Sequence, residues 1–107
     1  MDKVFKALAD HTRRSLLDRL YLEAGQSLGR LCDGLDMRRQ SVSKHLDLLE
    51  QAGLVAVRWQ GREKLYYLNP VPLEEISERW LDKFSADRAA TLLRLKQALE
   101  DKQEDSE

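Results

Sequence analysis

Apolar residues recur along this chain first at helical spacing and then at alternating spacing. Val4, Phe5 and Leu8 form a short apolar face, and Leu16, Leu17, Leu20 and Tyr21 repeat the pattern, so two helices are predicted before Gly25. Asp10 is the natural N-cap between them, because its carboxylate can accept the free N–H groups of the next turn. Ser27 can cap a third, short helix carrying Leu28, Leu31 and Leu35, with Gly34 near the end where a left-handed residue is often required. Next, Val42, Leu46 and Leu49 share one stripe of a helix predicted from Arg38 to Ala52, and Gly53 stops it. The period then becomes two. Val55, Val57 and Trp59 alternate with Ala56 and Arg58, Leu65 and Tyr67 share a face, and Gln60-Gly61-Arg62-Glu63 supplies the hairpin connection. Beyond Pro70, the steps through Leu73, Ile76, Trp80, Phe84, Leu92, Leu95 and Leu99 predict one long amphipathic helix, or two with a break at Ser85.

These elements add up to a mainly α fold with a small β-hairpin, a winged helix-turn-helix. The expected layout is one domain over residues 1–102: helix-turn-helix 27–52, wing 54–68, C-terminal dimerisation helix 72–102, and an acidic frayed tail at 103–107. A length of 107 residues fits a single domain, and a hydrophobic fraction of 42% is enough for a core without staples. Cys32 is the only cysteine, so no intrachain disulfide can form. The opening MDKVFKALADHTRR has no apolar core of a signal peptide, and the near-apolar run from Ala52 to Val57 is far shorter than the roughly 20 residues of a spanning helix. A soluble, untargeted, cytoplasmic protein without membrane partners is expected.

Eighteen Lys and Arg against nineteen Asp and Glu give a net charge of −1, which by itself argues against nucleic acid. The distribution argues for it. From Met37 to Asn69 the bases Arg38, Arg39, Lys44, Arg58, Arg62 and Lys64 face only Asp47, Glu50 and Glu63, a net +3, and the remainder of the chain carries −4. Such segregation has weight only if folding brings the bases onto one surface.

The stretch MRRQSVSKHLDLLEQAGLVAVRWQGREKLYYLNP resembles the arsenic-repressor-like (ArsR/SmtB) family of small bacterial transcriptional repressors. Ser43, Lys44, His45 and Leu46 match its recognition-helix pattern, and Ala52, Gly53, Leu54 and Val55 the turn that follows. FKALADHTRRSLLDRL is similar to the family's opening, with His11 where a proline is usual, and Arg38 stands where the family has a Ser or Thr cap. The resemblance covers residues 4 to about 84 and implies a double-stranded-DNA-binding regulator. On that reading it is a homodimeric repressor or autorepressor at an inverted-repeat operator.

A recognition helix turns polar side chains of its first turns towards base edges, opposite its apolar stripe. Base reading is therefore expected of Arg39, Gln40 and Lys44. Contacts to phosphate are expected of Arg38, Ser41 and Ser43 at the helix start, and of Arg58, Arg62 and Lys64 on the wing. His45 is read two ways, as a ring packed at the helix edge and as a phosphate contact. Trp59, Tyr66 and Tyr67 are expected to anchor the hairpin to the core.

The family's metal sensors use paired cysteines or Asp and His ligands, and neither set is intact: Gly34 stands where a partner for Cys32 would be, and no histidine follows His45. No metal and no cofactor are expected, and no inducer is legible. The dimer face is expected to combine Val4, Phe5 and Leu8 with Phe84, Leu92, Leu95 and Leu99, while Ile76 and Trp80 can instead cover the subunit's own core. An enzyme is not expected: Glu74, Glu75, Glu78 and Asp82 are interleaved with Arg79 and Lys83 as on a solvated helix face. The rival is a winged-helix module for protein interaction, which would need no bases on both helix and wing.

Overall fold

A computed structural model describes the backbone of residues 1–81 and 85–105, with side chains for 1–81 and 90–101. Contacts divide the chain into two compact units, Met1–Leu73 and Glu74–Glu107, where the sequence reading ran one domain to residue 102.

In the first unit, α1 (Asp2–Leu8) precedes α2 (His11–Leu22), whose N-cap Asp10 accepts the Arg13 backbone N–H at 3.0 Å. Helix α2 ends at Leu22, before Gly25. That glycine has φ +76° and donates its N–H to the Tyr66 carbonyl at 2.9 Å, so it aims the chain at the hairpin instead of closing the helix. The result is a strand that the sequence reading lacked. Gln26–Ser27 (β1) pairs antiparallel with Glu63–Leu68 (β3), which pairs with Val55–Gln60 (β2), giving the order β1-β3-β2. Between β1 and β2 lie α3 (Leu28–Cys32) and α4 (Arg39–Gln51). Ser27 Oγ caps α3 by accepting the Arg30 N–H at 3.3 Å, and α3 stops at Cys32, leaving Leu35 outside it.

Leu16, Leu20, Leu31, Val42, Leu46, Leu49 and Leu54 are all under 2% exposed, one to three from each of α2, α3, α4 and the turn into β2. Truncating such a leucine to alanine costs about 2–5 kcal/mol, so this cluster decides whether the unit folds. The hairpin's anchor is Tyr66, buried and paired across the sheet with Val57. Leu65 and Tyr67 do share a face, but it is the opposite one, and both are only half-buried.

Short helices leave carbonyls at their C-terminal ends without partners. Here side chains close three of those ends. Arg13 donates from Nε to the Ala7 carbonyl at 2.8 Å and from Nη2 to Lys6 at 2.9 Å, and Arg14 Nη1 donates to Leu8 at 2.7 Å, so α2 finishes α1. Arg19 donates to the carbonyls of Leu31 and Asp33, finishing α3. The amide of buried Gln26 donates to Arg19 and Glu23 carbonyls at 2.8 and 2.7 Å, finishing α2 itself.

Helix α5 (Val71–Ile76) leads across the unit boundary into a π-helical turn, Ser77–Leu81. In the second unit α6 runs from Ser85, the candidate break, to Asp105, three residues past the expected end. Leu92, Leu93, Leu95 and Leu99 are each more than half exposed on it.

Candidate nucleic-acid interface

Helix α4 advances about 100° per residue, and burial of Val42, Leu46 and Leu49 fixes which way each remaining side chain faces. Gln40 and Lys44 stand on the crest opposite the core, both exposed. Arg39 and Ser43 fall on the flank towards the hairpin, and Ser41 and His45 on the flank towards α2. The N-cap of α4 is Arg38, whose side chain caps nothing, so the amides of the first turn have no side-chain acceptor there.

Arg39 and Ser43 meet the hairpin across a groove of about 470 Å³, whose other wall is Trp59, Arg62, Glu63, Lys64 and Tyr66 and whose floor includes Ser27, Leu28 and Gly29. Three cations and one carboxylate line it. The two basic segments, separated in sequence by a run of leucines and a glycine, thus share one surface. The hairpin reaches the groove through a two-residue turn, Gly61-Arg62, in which Gly61 alone has positive φ (+63°), the pattern of a type II′ turn. At its base Lys64 Nζ lies 3.9 Å from Glu50 Oε2 of α4 and 5.3 Å above the Tyr66 ring, so its charge is partly committed to joining wing and helix.

Arg58 and His45 do not line this groove. Arg58 pairs across the ladder with Leu65 and Trp59 with Lys64, which puts Arg58 on the sheet face away from the groove. His45 is 20% exposed and turned to α2: its Nδ1 is 3.3 Å from Arg13 Nη1 and 3.9 Å from Asp10 Oδ2. The Arg13 backbone N–H, and then the Arg13 guanidinium and the His45 ring whenever it is protonated, hold the Asp10 carboxyl below its ordinary pKa of 3.8, against the opposing effect of burial.

Trp59 was expected to anchor the hairpin, but its side chain is 67% exposed and forms a wall of the groove. The signal was present: Trp59 is two positions nearer the tip than Val57, beyond the reach of the core. Arg13 was missed because nothing in its spacing announces bonds to carbonyls six and seven residues back.

Of the proposed dimer face, Val4 is buried and belongs to the subunit's own packing, a correction imposed by its 8% exposure. Phe5 is exposed and Leu8 half-buried. Phe84, with Asp82 and Lys83, lies outside the described residues. Cys32 is a half-buried free thiol, and among the described residues no group of three His, Cys, Asp or Glu is placed to hold a metal ion. No helix among them is long and apolar enough to cross a membrane.

Residues 8–58 match a family described as a helix-turn-helix domain. An uncharacterized HTH-type transcriptional regulator of Bacillus subtilis, YuzN, is 36% identical over 87 residues, 76% of this chain and 95% of the relative. The structure of an ArsR-like transcriptional regulator from Rhodococcus superposes with a TM-score of 0.70 at 35% identity, covering 92% of this chain and 89% of that one. A homodimeric winged helix-turn-helix DNA-binding domain from Mycobacterium bovis superposes with a TM-score of 0.62 at 25% identity, over 83% and 80%.

Proposed function

The chain belongs to the ArsR-like family of winged helix-turn-helix transcriptional regulators, and from that premise we propose a two-fold dimer that represses transcription by occupying an inverted-repeat operator, including one at its own gene. The observation that carries this reading is the groove in which Arg39 and Ser43 of α4 face Arg62 and Lys64 of the hairpin.

Docked in a major groove, α4 presents Arg39, Gln40 and Lys44 to base edges: a guanidinium fork suited to guanine, an amide suited to adenine, and a mobile ammonium. Arg38, Ser41, Ser43 and the uncapped amides of the first turn serve phosphates, which set register without reading sequence. Arg62 and Lys64 follow the backbone beyond the groove edge, with the Trp59 indole against sugar edges between them. Arg58 faces away from this surface and is left out of it. The leucine row of α6, with Phe5 and Leu8, supplies the face between subunits, as the homodimeric relative supports. Two-fold symmetry then spaces two copies of α4 about one helical turn of DNA apart. The protein acts in the cytoplasm on this reading and catalyses nothing.

Selection of bound duplexes from a random pool tests specificity and symmetry together. Enriched sequences with dyad symmetry, bound far more tightly than random duplex at moderate salt, are the expected result. Binding without preference would replace the repressor with a protein-interaction module.

A further inference from the structure

Arg13 meets three helices. Its Nε and Nη2 donate to the carbonyls that end α1, its backbone N–H donates to the α2 cap Asp10, and its Nη1 lies 3.3 Å from His45 Nδ1 on α4. A guanidinium carries donors only, so a ring nitrogen bonded to it must present a lone pair. Nδ1 of His45 is therefore the acceptor, and the neutral ring carries its proton on Nε2. Asp10 pulls the other way, because a carboxylate beside Nδ1 favours a proton there. Its Oδ2 is farther from Nδ1, at 3.9 Å, and already accepts the Arg13 backbone N–H at 3.0 Å. The guanidinium wins that competition.

We propose that Arg13 is a positioning residue for DNA docking: by holding Nδ1 as acceptor it fixes His45 in the Nε2–H form, a single-proton donor to a phosphate oxygen on the flank of α4. The proposal rests on the reading that α4 docks on duplex DNA. The two ring nitrogens diverge: Nδ1 is turned to α2, whereas Nε2 bonds to no protein group and is not buried, since no buried side-chain nitrogen among the described residues lacks a partner. Without Arg13, the ring proton sits on Nδ1, where the Asp10 carboxylate accepts its hydrogen bond, Nε2 becomes a lone pair, and the phosphate meets an acceptor.

Long-range 1H–15N spectra of the DNA-free protein, recorded above the imidazole titration, read the tautomer directly. Wild type shows Nε2–H, and Arg13→Met shows Nδ1–H with a loss in operator affinity of about tenfold. A second pair separates donor position from folding. The amide of His45→Gln reaches the place of Nε2 and that of His45→Asn only the place of Nδ1, so Asn loses more affinity than Gln. An Nδ1–H wild type, a folded Arg13→Met that keeps Nε2–H, or equal losses for Asn and Gln would each overturn the proposal. If Arg13→Met does not fold, the wild-type spectrum and the His45 pair decide. Failure of wild type to bind any duplex defeats the DNA reading and the donor's role with it, while the spectrum still reports the tautomer.

Discussion

On α2, Arg13, Arg14 and Arg19 direct their guanidinium donors to backbone carbonyls at the ends of α1 and α3. On α4 and the hairpin, the side chains of Arg38, Arg39 and Arg62 make no hydrogen bond or ion pair among the described residues. The residue type and formal charge are the same. What differs is whether the donors are consumed. An arginine fork already bonded to carbonyls cannot take a base edge or a phosphate without uncapping a helix, whereas an unbonded fork on a groove wall loses only side-chain entropy on binding. Counting bases therefore overstates the DNA-binding surface unless the bonded ones are set aside.

The largest effect should follow from breaking the structural set. Arg19→Met removes two charge-assisted hydrogen bonds at the end of α3, a five-residue helix that is marginal alone, and should lower stability by about 2–4 kcal/mol in urea titrations. Operator affinity per folded molecule should be unaltered. Arg39→Met should give the mirror image: stability within about 0.5 kcal/mol of wild type, with operator affinity lower by about 1–3 kcal/mol and discrimination relaxed at one base pair.

Asp10→Asn tests the link between the sets, because the cap both starts α2 and faces His45. A carboxyl whose folded pKa is depressed contributes stability that is complete above its ordinary 3.8 and is lost as pH falls through the lower folded value. The stability gap between wild type and Asp10→Asn should accordingly be flat at neutral pH and close in acid. At neutral pH the gap should be about 1 kcal/mol or less, since asparagine is itself a competent cap. The smallest effects belong to the wing. Arg62→Ala should reduce the slope of log affinity against log salt by roughly one unit. Glu50→Gln, which releases Lys64 from its 3.9 Å partner, should steepen that slope slightly and tighten binding a few-fold.

Most of the fold could be read in advance, because its signals are local. Asp10 and Ser27 cap the helices they precede, Gly34 and Gly53 take positive φ where helices end, and Val42, Leu46 and Leu49 are buried as their spacing requires. Strand β1 was not legible, since two residues have no period; only the bond from Gly25 to Tyr66 and the ladder to β3 define it. The candidate site was legible on α4, where one apolar stripe fixes every other direction. On the hairpin it was legible only in part: alternation already separated Arg58 from Trp59, but it could not say that Tyr66 would take the core and leave Trp59 on the groove wall. The long-range clasps of Arg13 and Arg19 depend on which helix end folding brings near, and no spacing encodes that.

Those clasps give the first unit a hierarchy of opening. Because α2 seals the ends of α1 and α3 and contributes Leu16, Leu17 and Leu20 to the core, its central amides should exchange with deuterium only when the whole unit comes apart. The hairpin tip, where a methyl added at Gly61 would touch nothing within 4 Å, should exchange through local breathing. If the tip follows DNA as proposed, the part that adapts to an imperfect target is insulated from the part that keeps the chain intact, and a drifting operator should be followed by changes at the tip that leave the scaffold's lifetime untouched.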